Sequence, residues 1–180
     1  MNGDTVLKCD CGAVECAGRG APFLAAVCYC DDCQEAARQI EAAGDGPPVA
    51  APDGGTALCL IRDDKFTVVR GEDRLRPHRL NPASHTSRMV ASCCNTALFL
   101  SFSDGRFWKS AMIDRIADPK PVVTMRLCTR YRNSPLPWPD DAPRHAGFPL
   151  SALWRVGQQW FAMKLGRPDR PAGSSEETRK

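Results

Sequence analysis

The sequence has no long apolar run and no strong excess of charge of either sign. Its 24 Lys and Arg residues against 21 Asp and Glu give a formal net charge of +3, which is too small to indicate a nucleic-acid partner. The apolar stretches are short and broken by charged residues, which excludes a transmembrane helix. The chain does not begin with a basic region followed by an apolar stretch, so no secretory signal is expected. These absences predict a soluble, cytoplasmic protein with no membrane partner.

Histidine is scarce, whereas cysteine is abundant. Each of the three histidines, His78, His85 and His145, stands alone in the sequence, and each is expected to be a surface or hydrogen-bonded residue. Ten cysteines in 180 residues would suggest disulfides in a small secreted protein. In a reducing compartment, the same abundance indicates metal binding or catalysis.

The cysteines are distributed as zinc ligands usually are, in close clusters separated by long gaps. The clusters are Cys9 with Cys11, then Cys28, Cys30 and Cys33, and finally the adjacent pair Cys93 and Cys94. The remaining Cys16, Cys59 and Cys128 stand alone and are expected to be small buried hydrophobes.

The triplet Cys28, Cys30 and Cys33 has the pattern C-x-C-x-x-C. Its three sulfur atoms can converge on one tetrahedral zinc and leave the fourth position open, as catalytic zinc sites do. One alternative is a purely structural zinc whose fourth ligand is His85 or another cysteine. A disulfide is a further alternative, which the reducing compartment disfavours.

The secondary-structure pattern is mainly β. An apolar run over residues 23–28 predicts a buried strand that ends at the triplet. A helix is predicted over residues 33–42, with Asp31 or Asp32 as its N-cap and Gly44 behind its end. Residues 56–61 and 65–70 are spaced as a β-hairpin. Further strands are predicted over residues 75–80, 86–91, 97–100, 113–116 and 122–127. A second helix is predicted over 150–165, and residues 167–180 are expected to be disordered.

Three motifs occur in the order seen in one known family: Cys9-Asp10-Cys11-Gly12-Ala13-Val14, Cys28-Tyr29-Cys30-Asp31-Asp32-Cys33-Gln34 and Cys94-Asn95-Thr96-Ala97-Leu98. The chain thereby resembles the glutathione-dependent formaldehyde-activating enzyme and centromere protein V family. The resemblance implies a fold of small coiled antiparallel sheets over residues 1–130, with a short helix after the triplet. Residues 131–166, a proline-rich connection and a C-terminal helix, are expected to pack on the same domain.

The resemblance also implies two zinc sites. Cys28, Cys30 and Cys33 match the catalytic ligands, and Cys9, Cys11 and Cys94 match three ligands of a structural site. The family pattern C-x-x-C-G would place the fourth structural ligand at position 91, which is Ala91 here, and would place glycine at Asn95. The adjacent Cys93 is a candidate substitute; otherwise this site is completed by water or histidine, or is empty. One or two Zn²⁺ ions per chain are therefore expected.

The function implied is that of a zinc-dependent carbon–sulfur lyase or a thiol-adduct former acting on a small thiol such as glutathione, with formaldehyde as the carbonyl partner. Because glutathione carries two carboxylates, basic residues should line the pocket, and the candidates are Arg38, Lys65, Arg88 and Arg106. The competing hypothesis is a non-catalytic zinc scaffold or binding module. The apolar face of the C-terminal helix is expected to pack on its own sheet, with a homodimer contact or a lid over the zinc pocket as alternatives.

Overall fold

The computed structural model describes residues 4–166. They form ten strands and two α-helices: β1 (Thr5–Lys8), β2 (Glu15–Gly18), β3 (Leu24–Cys28), α1 (Asp31–Ala42), β4 (Thr56–Arg62), β5 (Phe66–Arg70), β6 (Leu75–His78), β7 (Thr86–Ala91), β8 (Thr96–Phe102), β9 (Trp108–Met112), β10 (Met125–Leu127) and α2 (Leu150–Leu165). The predicted fold class, mainly β with a short helix after the triplet and a C-terminal helix, is confirmed. Predictions for residues 167–180 lie outside the described residues.

The strands form two sheets. A three-stranded sheet has the order β1-β2-β5, and a seven-stranded sheet has the order β10-β3-β4-β9-β8-β7-β6. Every pair is antiparallel except β3 with β10, which run parallel. All five residues of β3 are buried, as expected for an apolar strand with neighbours on both edges. The triplet therefore begins at the last residue of an interior strand of the larger sheet.

The predicted hairpin over residues 56–61 and 65–70 is wrong. Both segments are strands, but β4 pairs with β3 and β9, whereas β5 pairs with β2 in the other sheet. Both edges of β4 are therefore occupied by other strands. The single 3₁₀ turn Asp63–Lys65 redirects the chain from one sheet to the other.

Helix α1 begins two residues earlier than predicted. Its N-cap is Cys30 rather than an aspartate, and Asp31 and Asp32 lie in the first turn, where carboxylates interact favourably with the helix dipole. Its buried residues are Cys33, Ala36, Ala37 and Ile40, the spacing of one helical face. Cys33 therefore belongs to the face that packs on the sheet.

Two other strand predictions differ from the structure. Residues 113–116 contain a 3₁₀ turn, Ile113–Arg115, although Ile113 and Ile116 are buried in the core. Their apolar character thus reflects burial rather than strand pairing. Within residues 122–127, only Met125–Leu127 forms a strand, and β9 was not predicted.

Helix α2 is fully buried only at Ala152, and Val156, Gln159 and Met163 on the same face are half-buried. Ala152 is buried in the same core as the triplet, whereas the apolar side chains of Leu150, Trp154, Phe161 and Leu165 are exposed. The prediction that the apolar face packs on the sheet holds at Ala152 and not along the whole helix. None of the described helices has the length and apolar character needed to span a membrane.

Candidate metal centres

The triplet lies where β3 meets α1. Cys28 is the last residue of β3, and Tyr29 continues the pairing by donating its N–H to the carbonyl of Leu127 on the neighbouring β10, at 3.1 Å. Cys30 is the N-cap of α1, and its carbonyl accepts the N–H groups of Cys33 and Gln34. A buried strand end and a helix start therefore fix the backbone of the three cysteines.

The Sγ atoms of Cys28, Cys30 and Cys33 all lie within 4.8 Å of one another. Zinc–thiolate bonds of about 2.3 Å in a tetrahedral site place sulfurs roughly 3.8 Å apart, so small side-chain shifts suffice for coordination. Among residues 4–166, no fourth histidine, cysteine or carboxylate joins this group. In particular, His85 does not complete it; its Nδ1 lies 3.3 Å from the Ser103 hydroxyl.

The electrostatics of the triplet favour one thiolate at Cys30. Hydrogen bonds from the thiols of Cys28 and Cys33 lower the pKa of Cys30 well below its ordinary value, and the nearby Arg88 guanidinium contributes in the same direction. The side-chain hydrogen bonds of Cys28 with Cys30 and Cys33 raise the pKa of Cys28. Clustered thiols beside a cation are typical of sites that bind soft metals or react as nucleophiles.

All three cysteines line one cavity of about 500 Å³. Its wall is mainly apolar and contains Leu24, Ala26, Leu58, Leu60, Leu100, Phe102, Trp108, Leu127, Phe148 and Leu153. Phe148 precedes α2 and Leu153 lies in its first turns, so the C-terminal helix forms part of the wall.

The cavity selects two of the four basic residues that the sequence offers. Arg88 and Arg106 line it, whereas Lys65 does not. Arg38 pairs with Glu35 at 2.6 Å on the exposed side of α1. The sequence alone could not make this choice, because Arg88 reaches the triplet through the pairing of β7 in the sheet.

A buried polar network fixes Tyr29, the residue between Cys28 and Cys30. The Tyr29 hydroxyl donates to Asp53 Oδ2 at 2.6 Å and accepts from Arg126. Arg126 also binds the Asp141 carboxylate through two nitrogens, at 2.8 and 2.9 Å. Burial, with a further contribution from Asp53, raises the pKa of Tyr29 to about 12, so the hydroxyl keeps its proton. Trp138 packs edge-on against the Tyr29 ring.

Cys128 is a fourth cysteine near the triplet that sequence analysis treats as isolated. It follows Leu127, which pairs with Cys28 in the parallel register of β10 and β3. Its thiol lies beside that of Cys28, and burial raises its pKa. Its backbone is left-handed, with φ of 56°, which is uncommon outside glycine. No local motif could have revealed this residue, because 95 positions separate it from Cys33.

The second cluster consists of Cys9, Cys11, Cys93 and Cys94, whose four sulfur atoms all lie within 4.8 Å of one another. The Sγ–Sγ distances are 3.6 Å for Cys9 and Cys11, 3.3 Å for Cys11 and Cys93, and 3.8 Å for Cys93 and Cys94. These separations resemble the edges of a tetrahedral thiolate site. Four cysteines in this arrangement could hold one metal ion.

The structure explains how the adjacent cysteines fit this cluster. They lie in the turn between β7 and β8, where Asn95 adopts a left-handed conformation with φ of 49°. Asparagine tolerates this conformation better than most residues, so Asn95 adopts a conformation that is also open to glycine. Ala91 is fully buried at the end of β7. Cys93 is thus the cysteine that joins Cys9, Cys11 and Cys94.

Comparisons with known proteins identify the family of the chain. No curated protein compared with the chain matches it. Among solved structures, a crystal structure of a Rhodobacter sphaeroides protein, a structural genomics target, is 16% identical, covers 64% of this chain and 91% of its own, and superposes with a TM-score of 0.46. The family described as a family of unknown function, DUF6151, matches residues 1–171. The chain therefore belongs to the DUF6151 family.

Proposed function

We propose that this protein is a zinc-dependent enzyme that forms or cleaves carbon–sulfur bonds on a small thiol. The observation that carries the proposal is the position of the triplet: three sulfur atoms within 4.8 Å of one another line a cavity. Soft thiolate donors suit zinc, and three protein ligands with one open position are typical of catalytic zinc. The motif resemblance to formaldehyde-activating enzymes supports the same chemistry.

A zinc bound by three thiolates would hold an incoming thiol as its thiolate at neutral pH. The chain's own contribution is to place the reactants in a cavity with a largely apolar wall, where electrostatic interactions are stronger than in bulk water. In the addition, the thiol sulfur forms a bond to an aldehyde carbon while the C=O π electrons move to the oxygen. That oxygen then takes up the proton that the thiol released. The reverse reaction breaks the carbon–sulfur bond and releases aldehyde and thiol.

The second cluster is proposed as a structural zinc site. Its four sulfurs, from Cys9, Cys11, Cys93 and Cys94, would complete tetrahedral coordination without a ligand from outside the chain. The cluster joins the segment after β1 to the β7–β8 turn, and so links the two sheets.

One observation favours the competing function, a non-catalytic zinc scaffold. The Cys128 thiol lies near that of Cys28, in the same buried core as the triplet, and this thiol is the candidate for a fourth ligand. A site closed by four thiolates would have no room for substrate and would only stabilise the fold.

Metal stoichiometry and adduct formation test these alternatives. We expect two zinc ions per chain in the purified protein, with one lost in Cys33→Ala and the other in Cys94→Ala. Cys59→Ala, at a buried cysteine outside both clusters, is the control and should retain both ions. The rate of glutathione–formaldehyde adduct formation should exceed the uncatalysed rate and fall to it in Cys30→Ser.

Two results would count against the proposed activity. One is a triplet zinc ion that binds an added thiol only after Cys128 is replaced, or that is lost on this replacement. Either outcome would show that Cys128 is the fourth ligand and closes the site. The other is adduct formation at the background rate with both zinc ions present, which would exclude this pair of substrates.

A further inference from the structure

Arg88 is a buried cation with a free nitrogen in the wall of the triplet cavity. The residue is 4% exposed and comes from β7. Its Nη2 donates to the carbonyl of Asp32 at 2.7 Å, whereas its Nη1 is buried and has no hydrogen-bond partner within residues 4–166. Buried charged donors are nearly always paired in folded proteins. Nη1 lacks such a partner and has no exposed surface, so an acceptor in the cavity would pair with it only after a shift of the Arg88 side chain.

The charges around the cavity indicate a ligand with a single negative charge. The other arginine of the wall, Arg106, already pairs with Asp104 at 2.7 Å and stacks on the Phe102 ring. The bonded nitrogen of Arg88 faces a neutral carbonyl, so within the chain its positive charge is balanced only in part, by the neighbouring Cys30 thiolate that its guanidinium stabilises. Asp32 also lines the cavity, and its carboxylate disfavours a second negative charge.

The rest of the wall fits an apolar molecule. Ten of the cavity's residues are aliphatic or aromatic, and the uncharged polar ones are Thr86 and Ser110. Such a wall offers few partners for the ammonium group, second carboxylate and peptide groups of glutathione. An unpaired polar group of the ligand would be costly to bury here, whereas an aliphatic or aromatic body would be stabilised by burial.

We propose that Arg88 is the anion-binding residue of this cavity and that its ligand is an apolar molecule with one carboxylate. In the reaction, this makes the preferred thiol an apolar mercaptocarboxylate rather than glutathione. The identification of the ligand as the thiol substrate rests on the proposed function, whereas the carboxylate site itself does not.

Binding of two matched probes tests the carboxylate site without any turnover. Phenylpropanoate and phenylpropanol share one apolar body and differ in charge, and their affinities for the full chain as purified, with its metal retained, can be measured by calorimetry. We expect the acid to bind at least about tenfold more tightly, the ratio for one charge-assisted hydrogen bond. This preference should disappear in Arg88→Gln and be retained in Arg38→Gln, the control at an exposed arginine outside the cavity. Equal affinities of the two probes for the unmodified protein would overturn the proposal, even if no Arg88 variant folds.

The same probes separate this inference from the proposed function. The mercapto derivative of phenylpropanoate should bind the zinc-loaded protein more tightly than phenylpropanoate itself, and Arg88→Gln should reduce that affinity by a similar factor. If the mercapto acid forms no adduct with formaldehyde but the protein still binds phenylpropanoate more tightly than phenylpropanol, the thiol chemistry is refuted and the carboxylate site is supported. Adduct formation with no preference for the acid would refute the role of Arg88.

Discussion

Replacing Tyr29 by phenylalanine tests whether the buried network beside the triplet stabilises the fold. The substitution removes one hydroxyl and leaves the aromatic ring against Trp138. The hydroxyl is fully buried and bonds two charged groups, Asp53 and Arg126. Hydrogen bonds to charged groups contribute about 1.5–3 kcal/mol to stability. Asp53 keeps the Gly55 N–H at 3.1 Å and Arg126 at 3.4 Å, so we expect a loss within this range rather than above it.

A loss of this size lowers the melting temperature by about 3–12 °C, because 1 kcal/mol corresponds to about 2–4 °C in a protein of this length. Calorimetry and urea unfolding measure it. The matched control is Tyr131→Phe, since Tyr131 is the other tyrosine of the chain and is partly exposed; surface changes of this kind stay within about 0.5 kcal/mol. If Tyr29→Phe melts at the same temperature as Tyr131→Phe, the hydroxyl does not stabilise the fold and the reasoning is refuted.

Three further predictions concern the same structural elements. Hydrogen bonds from Arg126 hold the pKa of Asp141 below its unfolded value of about 3.9. This pair therefore stabilises the fold above about pH 4, and the contribution is lost as the pH falls through the folded pKa. Asp141→Asn should reduce the slope of unfolding free energy against pH below pH 4, and an unchanged slope would contradict this. The Asn95→Ala protein should have a free energy of unfolding about 1 kcal/mol lower than that of Asn95→Gly, because only alanine is strained at a φ of 49°. Its urea midpoint should therefore be lower, and equal midpoints would show that the turn relaxes. Cys93→Ala should release one zinc as completely as Cys94→Ala in a chelator titration, since both sulfurs belong to one group, and full retention of zinc in Cys93→Ala would exclude Cys93 as a ligand.

Local sequence patterns predicted the elements better than their partners. The strand that ends at Cys28 and the helix over residues 150–165 were predicted because apolar runs and periodicity act over a few residues. The pairing of β5 with β2 was not, because it depends on which edges other strands already occupy. Position 113 shows the same limit: its apolar character indicates burial, which a 3₁₀ turn satisfies as well as a strand.

The candidate sites follow the same division. The triplet could be predicted because its three cysteines lie within six residues. The positions of Cys128 near the triplet and of Arg88 in the cavity wall could not be predicted, because both depend on strand pairings between residues distant in sequence. Cys93 is intermediate, since its adjacency to Cys94 suggested a substitute but only the structure shows its sulfur within the group of four.

Asn95, where the family motif has glycine, connects the second cluster to helix α1, which begins at the triplet. Its side-chain nitrogen donates to the carbonyls of Ile40 and Gly44, each at 2.8 Å; the Ile40 carbonyl also accepts the N–H of Ala43, the C-cap residue of α1. The same helix carries Cys33 in its first turn. A glycine would allow the left-handed turn but could not make these bonds. Asparagine at this position therefore ties the turn that holds Cys93 and Cys94 to the C-terminal end of the helix that begins at the triplet, so loss of metal from the second cluster should loosen α1 from that end.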